Sequence, residues 1–122
     1  MEENKSVLDR FLIKSSIFQN CSSTIGGAIA FFNLGNVAIE DTIFLENQVS
    51  KAGGAIAMMC DNFGRDFNKC SLRIKDTLFL RNWALIEGGA IKWNFYEPQM
   101  DNLTFRYNYA GEYGDNIASI AS

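Results

Sequence analysis

"FLENQVSKAGGAI", residues 44–56, decides the fold. It opens on a large apolar residue, places an asparagine three residues on, and reaches a glycine pair nine residues from its start. The same phrase recurs as "IFQNCSSTIGGAI" from Ile17, "FLRNWALIEGGAI" from Phe79 and "FRYNYAGEYGDNI" from Phe105. Aligned on the glycines, four ladders emerge. The apolar ladder is Ile17, Phe44, Phe79, Phe105, and the asparagine ladder is Asn20, Asn47, Asn82, Asn108. The glycine ladder is Gly26, Gly53, Gly88, Gly114, and the isoleucine ladder is Ile29, Ile56, Ile91, Ile117. Five residues before the first ladder runs a further apolar set, Leu12, Ile39, Ile74, Met100. The units are offset by 27, 35 and 26 residues, and the long middle step is read as a loop inserted near residues 60–70. A fixed period of this length marks a repeat architecture.

Inside each unit the pattern alternates. Val37 and Ile39 stand against Ala38 and Glu40, and Leu72 and Ile74 stand against Arg73 and Lys75. Period two means strands, not the 3.6-residue stripes of helical repeats. Short strands bent at Asn and Gly describe a parallel β-coil, in which identical positions stack about 4.8 Å apart. Asparagine suits a left-handed corner and can bond along the stack, which places Asn20 inside and inaccessible. Glycine suits the next bend. No unit can bury its own face, so each depends on its neighbours.

The pairing of "FxxN" with "GGAI" resembles the repeats of chlamydial polymorphic outer membrane proteins. The same grammar is similar to that of large β-helical surface proteins of ciliated protists, and "YGDNIAS" at 113–119 resembles the last coil of such arrays. The likeness runs over about residues 10–119. It implies an all-β, short, right-handed parallel β-helix of the pectin-lyase-like kind, a solenoid of about four coils with one inserted loop near residues 60–70. Residues 1–9 would be a leader or cap, and 10–122 the helix, as a fragment of a larger repeat protein. The resemblance also implies a non-catalytic structural, adhesive or recognition module of a cell-surface or extracellular protein. The first unit departs in having Ile17 for the aromatic, and the last in having Asp115 and Asn116 for Gly-Ala, as edge units do.

Composition narrows the function. Hydrophobic residues make up 48% of the 122, enough for a packed core. Net charge is −3 with no basic block, which argues against nucleic acid. No apolar run reaches the roughly 18 residues of a membrane helix, so no transmembrane segment is expected in this chain. "MEENKSVLDRFLIKSS" carries no apolar signal-peptide core, so the chain is either cytosolic or a segment of a longer secreted protein. Histidine is absent, which removes the commonest general base and metal ligand. The glycine pairs match neither the phosphate-loop nor the dinucleotide pattern, and no catalytic residue or cofactor is assigned.

Six features remain as candidates. Cys60 and Cys70 form a candidate disulfide closing "CDNFGRDFNKC"; the alternative is three buried or semi-buried thiols, counting Cys21. That loop, with Asp61, Phe63, Arg65, Asp66 and Phe67, is a candidate binding loop or a tolerated insertion. Asp41 and Asp76 align, with Lys14 before and Asn102 after, as weak candidates for a cation or as corner residues. Ala28, Ala30, Ala55, Ala57, Ala90 and Ala118, with Lys92, would make a flat outer face. That face, the open coil ends and the inserted loop are where other chains or domains would dock, and carbohydrate is a further candidate partner. Trp83, Tyr107, Tyr109 and Tyr113 would either hold sugars or close the end of the stack. Sequons begin at Asn4, Asn20 and Asn102. Two other readings stay open: a carbohydrate-active β-helix lyase or hydrolase, active or a remnant, and an intracellular assembly subunit.

Overall fold

A computed structural model describes residues 11–32, 37–60, 71–94 and 97–120. Among them there is no helix. Segment one holds β1 (Phe11–Lys14), β2 (Ile17–Gln19), β3 (Ser22–Ile25) and β4 (Ile29–Phe32). Segment two repeats the order as β5 (Val37–Glu40), β6 (Ile43–Leu45), β7 (Gln48–Ala52) and β8 (Ile56–Met59). In segment three β9 (Leu72–Leu80) spans the first two positions at once, followed by β10 (Trp83–Ala84) and β11 (Ile91–Asn94). Segment four is built alike from β12 (Gln99–Arg106), β13 (Tyr109–Ala110) and β14 (Ile117–Ile120).

Every pairing is parallel and joins equivalent strands of successive segments. One sheet contains β1, β5, β9, β6 and β2, with β12 on β9; the others run β13-β10-β7-β3 and β14-β11-β8-β4. The chain thus curls through three faces per segment. Three left-handed corners bend each segment: one within the first face, one between the first and second faces, and one between the second and third, where Gly26, Gly53, Gly88 and Gly114 have φ of 66°, 74°, 67° and 74°. The other two corners are Ser15, Asp41, Asp76, Asn102 and Asn20, Glu46, Arg81, Tyr107, with φ between 49° and 58°.

The first segment corrects the expected alignment. Phe18, not Ile17, pairs with Phe44, and Ile13, not Leu12, pairs with Ile39. The register shifts by one residue between Ser23 and Ile25, after which Ile29 meets Ile56 as expected. A constant spacing between apolar residue and glycine concealed this irregularity, because β3 is one residue short. The same slip moves Cys21 into the asparagine row opposite Asn47, whose Oδ1 accepts the Cys21 N–H at 3.0 Å. Asn20 is therefore an exposed corner residue, not an inaccessible one. Lys14 likewise faces Glu40, and Ser15 takes the position of Asp41.

Inside, the aromatic row is continuous. Phe18, Phe44, Phe79 and Phe105 stack with centroids 5.1, 5.0 and 5.1 Å apart and planes within 11°. Ile39 and Ile74, Ile56 and Ile91, and the row of Phe31, Met58 and Trp93 fill the rest of the core. Complete burial of each such side chain stabilises by about 1.5–3 kcal/mol. Ser16, Thr42 and Thr77, which the repeat comparison had not singled out, follow the first corner and turn their hydroxyls back on the carbonyls of Lys14, Glu40 and Lys75.

Candidate functional site

The asparagine row is a hydrogen-bond ladder. Asn47, Asn82 and Asn108 are buried. Each amide Nδ2 donates backward to a phenylalanine carbonyl, of Phe18, Phe44 and Phe79, at 3.0–3.1 Å. Asn47 and Asn82 also donate forward, to Asn82 Oδ1 at 2.9 Å and Asn108 Oδ1 at 3.0 Å. Each Oδ1 accepts the backbone N–H one segment earlier. These asparagines are not the left-handed residues of the corner; the residue before each one is. Their value lies in the buried amide, which satisfies groups that a purely apolar rung would leave unpaired.

The second glycine of each pair answers to the following segment. A Cβ on Gly27, Gly54 or Gly89 would fall on the carbonyl oxygen of Gly54, Gly89 or Asp115. Asp115 has no later rung above it among the described residues, so a side chain fits there. Its Oδ1 accepts the Ala110 N–H at 3.1 Å, and the Oδ1 of neighbouring Asn116 accepts from Asn108 Nδ2 at 3.1 Å. The departure from Gly-Ala therefore closes the C-terminal edge.

The flat alanine surface is corrected. Ala55 and Ala90 lie in the core, because they sit in the bend ahead of their strands, where Ala55 N–H and Ile56 N–H share the Ala90 carbonyl. Ala57, Lys92 and Ala118 do face away from the isoleucines but are buried too, and Ala28 is half-buried; Ala30 alone is exposed. The glycine corner folds against this row: a Cβ on Gly53 would stand 3.1 Å from that of Ala57. Lys92, only 2% exposed, joins Glu87 at 2.6 Å. Burial pushes the Glu87 carboxyl upward, but hydrogen bonds from Lys92 and Tyr113 and the Lys92 charge outweigh it and hold the group below its ordinary 4.5. The Glu87 hydrogen bond, with burial, in turn raises the Tyr113 phenol above its ordinary 10.0.

Asp41 and Asp76 occupy successive corners in a shallow groove of about 430 Å³ with Thr42, Thr77, Asn102 and Thr104. Asp41 is exposed, and Asp76 is half-buried and accepts from Asn102 Nδ2 at 2.5 Å. Among the described residues no three acidic, Cys or His side chains converge as metal ligands. Cys60 is disulfide-bonded and Cys21 is a free thiol. Cys70 and the loop residues Asp61, Phe63, Arg65, Asp66 and Phe67 lie outside the described residues.

The aromatics do not close the stack. Trp83, Tyr107, Tyr109 and Tyr113 are exposed: strand alternation turns Ala84 and Ala110 inward beside Trp83 and Tyr109, and Tyr107 is a left-handed corner residue. Trp83 and Tyr109 continue an outward row that begins with Ser22 and Gln48. Beside it runs the corner row of Asn20, Glu46, Arg81 and Tyr107, with the Arg81 guanidinium 5.4 Å from the Tyr107 ring centre. A groove of about 350 Å³ opens between the two rows at Glu46, Gln48, Arg81 and Trp83. The sequence signal for the two rows was the alternation of Trp83 and Tyr109 with alanines.

Residues 41–57 match the family model described as the Chlamydia polymorphic membrane protein repeat. No curated protein and no solved structure matches the chain.

Proposed function

We propose that this chain is a non-catalytic recognition or structural module of a surface-exposed β-helical repeat protein. The observation that carries the reading is the match of residues 41–57 to a repeat whose family is named for membrane proteins. The disulfide at Cys60 supports it, since such bonds persist outside the reducing cytosol. The parallel pairing of equivalent strands fits a right-handed β-helix of four coils of the pectin-lyase-like kind, with 61–70 as an insertion between the second and third. Adhesion to other chains or to carbohydrate would use exposed side chains outside the ladders. The test is protease and biotin accessibility of the native protein on intact cells. Labelling without lysis is expected; protection until lysis would overturn the surface reading.

A further inference from the structure

We propose that the outward row Ser22, Gln48, Trp83, Tyr109 and the corner row beside it bind a neutral oligosaccharide lying along the stack axis. The inference rests on the recognition-module reading above and names the ligand class and its site. Three observations converge. First, Trp83 and Tyr109 are consecutive partners on parallel strands, so two exposed rings sit one rung apart, about 4.8 Å. That step is comparable to the length of one pyranose, and successive sugar rings in an extended chain can each lie against an aromatic face.

Second, the flanking polar groups are unpaired. The side chains of Ser22, Gln48 and Glu46 make no hydrogen bond among the described residues, and all three are exposed. A dry protein partner would bury an amide, a hydroxyl and a carboxylate without partners, at about 1–3 kcal/mol each. A polyhydroxylated chain supplies donors and acceptors to all of them. This decides for a saccharide over an apolar protein surface, although Trp, Tyr and Arg are also the residue types of protein hot spots.

Third, the charge balances. Across the two rows Glu46 and Arg81 are the only ionised side chains, and they cancel. Arg81 is already engaged with the Tyr107 ring. A sulfated or uronate chain would gain no net attraction here, so the favoured ligand is neutral. The four rungs give a track of roughly 14 Å, enough for about three sugar units.

The experiment titrates the whole chain with chitohexaose, cellohexaose, mannohexaose and, as the anionic comparison, a heparin hexasaccharide. Isothermal titration calorimetry reads binding in every variant, Trp83→Ala included, and tryptophan fluorescence of the parent chain adds a local signal because Trp93 is buried and Trp83 is exposed. A saturable change with at least one neutral chain is expected. Trp83→Ala and Tyr109→Ala should each weaken binding about tenfold with unchanged melting, while Asp101→Ala on the other sheet should not. The site is overturned if no neutral chain changes the signal up to about 10 mM, if only heparin binds and salt abolishes it, or if binding ignores Trp83→Ala. Cell-surface labelling with no sugar binding would sink this site alone. Sugar binding by a chain that is never surface-accessible would sink the proposed function instead.

Discussion

Asn108 donates its side-chain amide to Asn116 Oδ1 at 3.1 Å, eight residues ahead in the same segment. On the two earlier asparagine rungs, Asn47 and Asn82, that forward bond goes to an asparagine of the next segment. Asn116 thus stands in for a rung that the described residues do not contain, and Asp115 does the same for the Ala110 N–H. The edge of a parallel stack exposes unpaired backbone groups that can template further pairing. Here two side chains cover part of that edge.

Removing this closure should cost stability without changing the fold. Asp115→Ala and Asn116→Ala are each expected to destabilise by about 1 kcal/mol, since each leaves one donor less well satisfied near solvent. Urea denaturation midpoints measure it. Unchanged midpoints in both variants would remove the cap assignment.

A larger loss is expected one rung inside. Asn82→Leu strips partners from the Asn47 N–H, the Asn47 amide and the Phe44 carbonyl, all buried. Several buried groups at about 1–3 kcal/mol each predict a loss above about 3 kcal/mol, enough to leave a chain of this size barely folded. Both this variant and Cys21→Ser are read by the same urea denaturation, and Cys21→Ser, on the first rung among the described residues, should be nearly neutral.

The glycine pairs allow a directional comparison. Gly53→Val places a β-branched residue at φ 74° with its Cβ 2.5 Å from the Ile56 carbonyl oxygen. A loss of at least about 2 kcal/mol is expected. Gly54→Ala should be comparably severe although Gly54 is not left-handed, because the Gly89 carbonyl occupies the space. Asp115→Gly, at the equivalent position of the last segment, should cost no more than its cap. Equal effects for Gly54→Ala and Asp115→Gly would contradict the stacking explanation.

The Glu87–Lys92–Tyr113 group predicts a pH profile with two limbs. Glu87 is held below its ordinary 4.5, so its contribution is complete above 4.5 and is lost as pH falls through the lowered value. Tyr113 is raised above 10.0, so its contribution is complete below 10.0 and is lost as pH climbs beyond the raised value. Glu87 is partly exposed, so the acid limb should amount to at most about 1 kcal/mol. Glu87→Gln should flatten it in denaturation midpoints measured from about pH 7 to pH 3. Lys92→Met, which conserves volume and removes the buried charge, should cost less than Glu87→Ala, which strands the ammonium.

Much of this architecture was legible before any coordinates. The period-two alternation, the glycine pairs and the asparagines specified parallel strands stacked in register, because a repeat that cannot bury its own face must bury it against its neighbours. Phe44, Phe79, Asn82 and Ile91 fall on interior rows for that reason alone. Tertiary structure decided what depends on the neighbouring rung. Counting placed Ile17 with Phe44, but pairing puts Phe18 there, since one missing residue in β3 is absorbed where hydrogen bonding, not spacing, sets register. Alternation placed Ala55 and Ala90 outside, yet both lie in a bend before the strand begins, where two amides share one carbonyl. The same contact dependence explains Asp115, allowed where no carbonyl lies above it, and leaves Trp83 and Tyr109 exposed side by side. Local pattern determines that a strand forms and which side chains alternate; only packing against the next segment determines which alternate faces meet water.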